Sequence, residues 1–374
     1  MTPTGQHSSG SSWRSAIAVV VGVSALAAIA IVAWDRIGQR NRGMALAQAR
    51  AALDRGRADL ALKMVDGLGD CPETGEAATI AGMALAMQGR FGVARRSLIL
   101  ALRLKPEQPL AHKALGSIYL SESDSERGIA HLRAASRLAP SDPGPWVAIG
   151  KSYHTGGDES KAAEAYREAL DRDPNLKDAR LGLILALLET QRPDEAAPWL
   201  DLARRDTPRD PTYLALAARH ALDTGRVDEA ASLANLALDV DPNRVDARLV
   251  RARLALVANH PEAALADLEP AIALAPDDVT VLQLLARAEE LQGLTERSAA
   301  TVARYRMIQR RTIAIDRLLK RIHDRPDDLH PRYQLGLLAS DAGMTTLARQ
   351  SFQAVLDLDP RFSPATVALR KLGR

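Results

Sequence analysis

The chain has 374 residues, 47% of them apolar and 3% aromatic, and a formal charge of +3 with a pI near 9.1. It is long enough to bury a sizeable core. Its charges are too balanced and its aromatics too few for a polyanion binder or for a surface that stacks nucleic-acid bases, so no nucleic-acid partner is expected.

Residues 1–14 form a polar, Ser/Gly-rich tail, and from Ala16 to Trp34 the sequence AIAVVVGVSALAAIAIVAW carries no charge. As a helix this run rises about 28 Å, close to the roughly 30 Å hydrocarbon core of a bilayer. Trp13 and Trp34 bracket it, where interfacial indoles belong. The expectation is a single transmembrane anchor over residues 15–35. Ala28-Ile29-Ala30 also fits a signal-peptide cleavage site, although the apolar run continues past it and exceeds the usual h-region of about 7–15 residues. A buried soluble helix is the third reading. Ala18 and Gly22 form a small-residue pair through which two anchors could self-associate. Arg14 precedes the run, whereas Arg36, Arg40, Arg42 and Arg50 follow it. Positive residues favour the cytoplasmic side, which points to a bacterial-type inner-membrane protein with its C-terminal part inside; an extracytoplasmic array stays open. The one cysteine, Cys71, has no internal disulfide partner and reads as a small buried hydrophobe.

Beyond the anchor the chain repeats. Pro72, Pro106, Pro140, Pro174, Pro208, Pro242 and Pro276 follow one another at a single constant spacing, and after one longer gap Pro326 and Pro360 resume it. A proline just past a helix stops it and sets the next turn, so this rhythm marks a repeat of helix, turn, helix, stop. The stretch WVAIGKSYHTGGDESKAAEAYREALDRDP, Trp146 to Pro174, fills in the repeat. Trp146, Ile149, Gly150 and Tyr153 make the apolar stripe of a first helix, Gly156-Gly157-Asp158 breaks it, and Ala162, Tyr166 and Ala169 make the stripe of a second. Gly150 and Ala162 are small where the two helices cross. Leu115, Gly116, Tyr119, Leu132 and Ala135 restate the pattern one repeat earlier, and Gly82, Ala94, Leu98 and Ala101 two repeats earlier.

These residues resemble the tetratricopeptide repeat (TPR), whose consensus places W, LG, Y, A, F, A and P at such spacings within a unit of about 34 residues. The resemblance covers about residues 41–360; the repeat from Trp146 to Pro174 matches almost completely, while those closing at Pro72, Pro208 and Pro242 replace aromatics with Ala, Leu or Met. It implies an all-α, right-handed TPR superhelix, an α-solenoid of helix-turn-helix repeats in one continuous elongated array, preceded by one transmembrane helix and closed by a capping helix in residues 361–374 (Pro364 to Leu372).

Between Pro276 and Pro326 the spacing is longer by almost half a repeat, and the stretch of about 295–324 has neither Gly nor Pro. It reads as one long helix or two nearly collinear ones. Between Arg304 and Arg321 the sequence carries Arg304, Arg306, Arg310, Arg311, Arg317, Lys320 and Arg321 against only Asp316. This is either a solvated face or a secondary site, at Arg306, Arg310, Arg311 and Arg317, for an acidic partner or anionic headgroups.

No HExxH, Walker-type loop, GxSxG or paired-cysteine spacing occurs. His112, His154, His330 and His260 are scattered over helices and a turn, and Asp158-Glu159 and Asp194-Glu195 sit where they favour the N-terminus of the following helix. The expectation is therefore no catalytic residue, no metal, no cofactor and no enzyme activity.

The resemblance implies that first helices line a concave groove on which each repeat position maps to a row. Counting Trp146 as the fourth position, the ninth holds Ser117, Lys151, Leu185, Arg219, Arg253 and Arg287, and the twelfth holds Leu120, His154, Leu188, Leu222, Leu256 and Glu290. A basic row beside an apolar row suits an extended protein or peptide partner with acidic and aliphatic residues. Solvated arginines over ordinary packing are the plain alternative. The sixth position, Ile80, Ala114, Ala148, Gly182, Leu216, Val250 and Leu284, has no asparagine ladder, and no Lys/Asn carboxylate clamp is assembled. The function expected is a non-enzymatic, membrane-anchored TPR scaffold that binds protein partners through its groove. The alternative is an accessory subunit of envelope polysaccharide or lipid-linked polymer assembly that binds substrate directly.

Overall fold

The computed structural model describes residues 42–66, 75–325 and 327–373, and every regular element within them is a helix. The apolar run Ala16–Trp34, Cys71, Pro72 and Pro326 lie outside the described residues. No helix among the described residues is long and apolar enough to cross a membrane.

By packing, the described residues fall into two compact units, one ending at Ala114 and one beginning at Leu115. A solenoid repeat contacts only its neighbours, so cohesion is local and an array can divide in this way. The first unit contains α1 (residues 42–54), α2 (Ala58–Asp66), α3 (Gly75–Met87) and α4 (Phe91–Leu104). Leu46, Ala49 and Leu53 bury themselves there with Ala61, Ile80 and Ala84. The division falls inside α5 (Pro109–Ser121).

The second unit continues with α6 (Ser125–Leu138), α7 (Gly144–Thr155), α8 (Glu159–Leu170), α9 (Lys177–Glu189) and α10 (Pro193–Asp206). There follow α11 (Pro211–Asp223), α12 (Val227–Val240), α13 (Val245–Val257), α14 (Pro261–Leu274) and α15 (Val279–Leu291). The chain ends with the 30-residue α16 (Thr295–Asp324), α17 (Leu329–Asp341), α18 (Thr345–Leu358) and α19 (Ser363–Leu372). Pro140, Pro174, Pro208, Pro242, Pro276 and Pro360 each fall just past the end of a second helix, where a missing N–H costs nothing.

The pair α7–α8 shows why this sequence makes this hairpin. Gly157 takes φ +76°, its amide donating to the His154 carbonyl at 3.1 Å while the Asp158 amide donates to that of Tyr153 at 2.9 Å. These bonds close α7 in the way a left-handed residue closes a helix. The Asp158 carboxylate then accepts from the Lys161 amide at 3.2 Å and caps α8, so Asp158 acts in folding. The same turn recurs with a left-handed residue each time, at Gly89, Ser123, Gly157, Gln191, Gly225, Asn259 and Gly293. From Gly89 to Gly293 glycine and non-glycine alternate, whereas the turns on either side, at Gly56 and Gly343, are both glycine.

Gly150 and Gly182 leave room for one ring. A Cβ on Gly150 would lie 2.7 Å from Tyr166 Cε1, and one on Gly182 would approach the same ring more closely still. Tyr166 is thereby packed between α7 and α9, and the core runs unbroken from Ala162 on α8 to Val250 on α13. Where Trp146 stands in its repeat, α9 and α13 carry arginines. Arg180 is buried, donating to Asp206 at 2.6 Å and to the Pro174 carbonyl at 3.3 Å, and Arg248 donates to the Pro242 carbonyl at 2.7 Å. Separate clusters follow, one through α13–α15 and one through α17–α19.

Candidate partner-binding face of the first helices

Ion pairs between neighbouring first helices define the face. Lys151 Nζ on α7 lies 3.0 Å from Asp178 Oδ2 on α9. Arg219 on α11 lies 2.8 Å from Glu189 Oε1 on α9 and 3.6 Å from Asp223 Oδ2 on its own helix. A ninth-position side chain therefore meets the second or the thirteenth position of an adjacent first helix, and all three positions share one surface.

On this surface the expected basic row is not uniform. Ser117 and Lys151 are exposed, Leu185 is half-buried, and Arg219 is held between two carboxylates. Arg253, half-buried, and Arg287, exposed, make no ion pair among the described residues. The apolar row needs correction. Leu188 and Leu256 are 3% and 9% exposed and belong to the core, because the twelfth position turns toward the second helices. Leu120 and Leu222 are half-buried, Glu290 is exposed, and the His154 Nδ1 lies 2.9 Å from Glu159 Oε2 at the N-terminus of α8.

Reasoning from the ninth and twelfth rows alone misses the thirteenth. That position holds Ser121, Thr155, Glu189, Asp223, Val257 and Leu291, and so changes from polar through acidic to apolar along the array. Val257 is 81% exposed and Leu291 47%, each one helical turn beyond an unpaired arginine, Arg253 and Arg287. α13 and α15 pack side by side, and residues one repeat apart occupy equivalent places on them. The result is a patch of two free guanidinium groups and two exposed aliphatic side chains. It can take up carboxylates and apolar side chains together. Counting a third row would have revealed it, since the signal is a change of residue type at fixed spacing.

On α16, Arg311 is 2.7 Å from Asp277 Oδ2 and Arg304 is 3.8 Å from Asp277 Oδ1. Arg306, Arg310 and Arg317 make no ion pair among the described residues, so Arg311 stands apart from the other three residues of the expected secondary site. Among the described residues no group of three or more His, Cys, Asp or Glu side chains is placed to hold a metal ion.

Two family models, both described as tetratricopeptide repeat, match the chain, one over residues 155–219 and the other over residues 81–143, 201–245 and 249–312. Similar solved structures include YrrB, described as a TPR protein with an unusual peptide-binding site. It is 22% identical, the match covering 50% of this chain and 97% of that one at a TM-score of 0.41. PilF of Pseudomonas aeruginosa is 18% identical over 57% of this chain and 97% of its own, at a TM-score of 0.45. A tetratricopeptide repeat protein from Parabacteroides merdae is 16% identical over 67% and 99%, at a TM-score of 0.46. No curated protein matches the sequence.

Proposed function

Because this chain belongs to the tetratricopeptide repeat family, we propose that it is a non-enzymatic scaffold, anchored to a membrane by residues 15–35, that recruits a protein partner through its first helices. The observation that carries the reading is the patch of Arg253 and Arg287 beside exposed Val257 and Leu291. Packed helices lie about 8–10 Å apart, and an extended chain covers that distance in about three residues. The partner segment is therefore extended, with carboxylates and aliphatic side chains both on the side that faces the patch, where side chains two residues apart point the same way.

The uncharged run Ala16–Trp34 supports the anchor, and the arginines that follow it support an array on the cytoplasmic side of a bacterial-type inner membrane. Ala18 and Gly22 supply a route to self-association within that anchor.

The test is binding of a labelled extended peptide that carries Asp and Leu on the same face, to the full chain in detergent. Arg253→Glu with Arg287→Glu should lower affinity at least tenfold, since like charges are then juxtaposed. Unchanged affinity would remove the patch from the reading. Fractionation tests the anchor independently: the intact chain should stay with membranes after a carbonate wash, and recovery in the soluble fraction would refute anchoring.

A further inference from the structure

α16 has the two flanking first helices of a regular second helix, α15 and α17, but at 30 residues it is more than twice as long as either, so neither runs along the whole of it. A regular second helix packs against its own first helix and against the next one, as α8 does against α7 and α9. Its small residue is then fully buried, as at Ala162, Ala196, Ala230 and Ala264, and so is the larger residue four positions on, at Tyr166, Leu200 and Leu268. α16 itself packs mainly against α15 and α17, and near its C-terminus His323 Nε2 lies 3.2 Å from Glu126 Oε2 on α6. Counted back from Pro326, Ala314 and Leu318 hold the small and large positions, yet both are only half-buried. Ile308 and Ile322 are the buried side chains of α16, and neither belongs to the core clusters through α13–α15 and α17–α19. The extra half-repeat of sequence brought a second helix longer than its two first helices cover.

The uncovered side is basic. Arg306, Arg310, Arg317 and Lys320 make no ion pair among the described residues and recur at intervals of four, seven and three along α16. They span about 21 Å on one side of the helix. Ile313 lies among them, 48% exposed, and Met307, 56% exposed, lies near Arg306 and Arg310 on the preceding turns. Free cations bordering half-covered apolar residues fit a helix that brings carboxylates on its flank and small or aliphatic residues on its contact side.

We propose that α16 is a second docking surface, on which an acidic amphipathic helix from a partner protein lies along Ala314 and Leu318, which the two flanking first helices leave half-covered. Two features favour a helix over a membrane surface. The half-buried residues are those that a packed helix covers in the other repeats, and Met307 and Ile313 alone offer little apolar area for insertion into lipid.

The probe is an amphipathic peptide of about 18 residues, long enough to cover the free stretch as a helix, with Glu on the flanks and Ala and Leu on the contact side. Its binding to the full chain in detergent is followed by fluorescence anisotropy. The acidic peptide should bind, and its Lys-for-Glu counterpart should not. Arg310→Glu with Arg317→Glu should weaken binding at least tenfold with unchanged helicity, because both side chains are solvent-facing. Ala314→Trp should weaken it too, by filling the contact side without altering charge. Three results would overturn the proposal: equal binding of the two peptides, full binding by the Arg310/Arg317 variant, or loss confined to the Arg253→Glu, Arg287→Glu variant, which would leave the patch on α13 and α15 as the one site. Binding of the chain to anionic phospholipid vesicles but not to the acidic peptide would also overturn it, in favour of a lipid surface.

Discussion

The faces of α9–α11 and α13–α15 are built from the same repeat positions, and they differ in what they leave available. On the former, Arg219 is enclosed by Glu189 and Asp223. On the latter, Arg253 and Arg287 stand beside Val257 and Leu291 with no carboxylate paired to them among the described residues. An arginine at a given repeat position is therefore not by itself a binding residue. The second and thirteenth positions around it decide whether its charge is used within the protein or offered outward. The interior differs in parallel. Gly182 on α9 accommodates Tyr166, whereas the equivalent position on α13 holds Val250, and Ala234 stands where Tyr166 stands in its repeat.

That interior contrast gives the largest expected effect. Gly182→Val should cost about 3 kcal/mol by thermal denaturation, since its side chain meets the Tyr166 ring. Adding Tyr166→Ala reproduces the arrangement of Val250 with Ala234 and should restore part of the loss. If the double variant is less stable than the sum of the single changes, the two halves do not solve the same packing problem.

Alkaline pH should act on the α7–α9 half first. Burial pushes the Tyr166 phenol up to about 12, and burial also raises that of Tyr213. A folded pKa above the unfolded value of about 10 means that the stabilisation is complete below pH 10 and is lost as pH rises toward 12. For a shift of about two units this is about 2.7 kcal/mol from Tyr166. Denaturant titrations between pH 9 and 12 should show the loss, and Tyr166→Phe should flatten it; an unchanged slope in that variant would place the alkaline sensitivity elsewhere.

Exchanging the thirteenth positions tests the surface contrast. Val257→Asp with Leu291→Glu should pair Arg253 and Arg287 internally and weaken peptide binding about tenfold, or about 1.4 kcal/mol. Glu189→Leu with Asp223→Val should free Arg219 and extend the binding patch. No change in either variant would mean that pairing does not control the face. The smallest effect is expected at the turns. Gln191 sits at φ 55°, a conformation that glycine adopts without strain, so Gln191→Gly should stabilise by about 1 kcal/mol or less, while Gly157→Ala should destabilise by a similar amount. Equal melting temperatures would contradict this.

What could be read from the chain alone follows the range of the interactions. Helix pairs, prolines and crossing glycines were legible because each depends on neighbours within one or two turns or on the repeat register itself. Gly150 announced a close crossing by type and spacing, although the side chain it makes room for is Tyr166 and not the Ala162 that the pattern set against it. The charge state of the face was not legible. Lys151 finds Asp178, and Arg219 finds Glu189, each on the neighbouring first helix, so a row of basic letters does not say which have been neutralised. Leu188 and Leu256 misled for a rotational reason: on a helix one residue is a step of about 100°, enough to carry a side chain from groove to core.

The alternating turns imply a longer beat than the one the prolines mark. Gln191 and Asn259 are two repeats apart, and Asp178-Ala179-Arg180-Leu181 returns at that same double interval as Asp246-Ala247-Arg248-Leu249. Arg180 and Arg248 each reach back to the carbonyl of the preceding turn's proline, Pro174 and Pro242. Removing a single repeat between Pro174 and Pro276 would leave one of these arginine latches beside the wrong neighbour. Removing a pair would keep every junction as it is. The reach of this array is therefore adjustable by evolution or by design in steps of two repeats, with odd steps penalised at the seam.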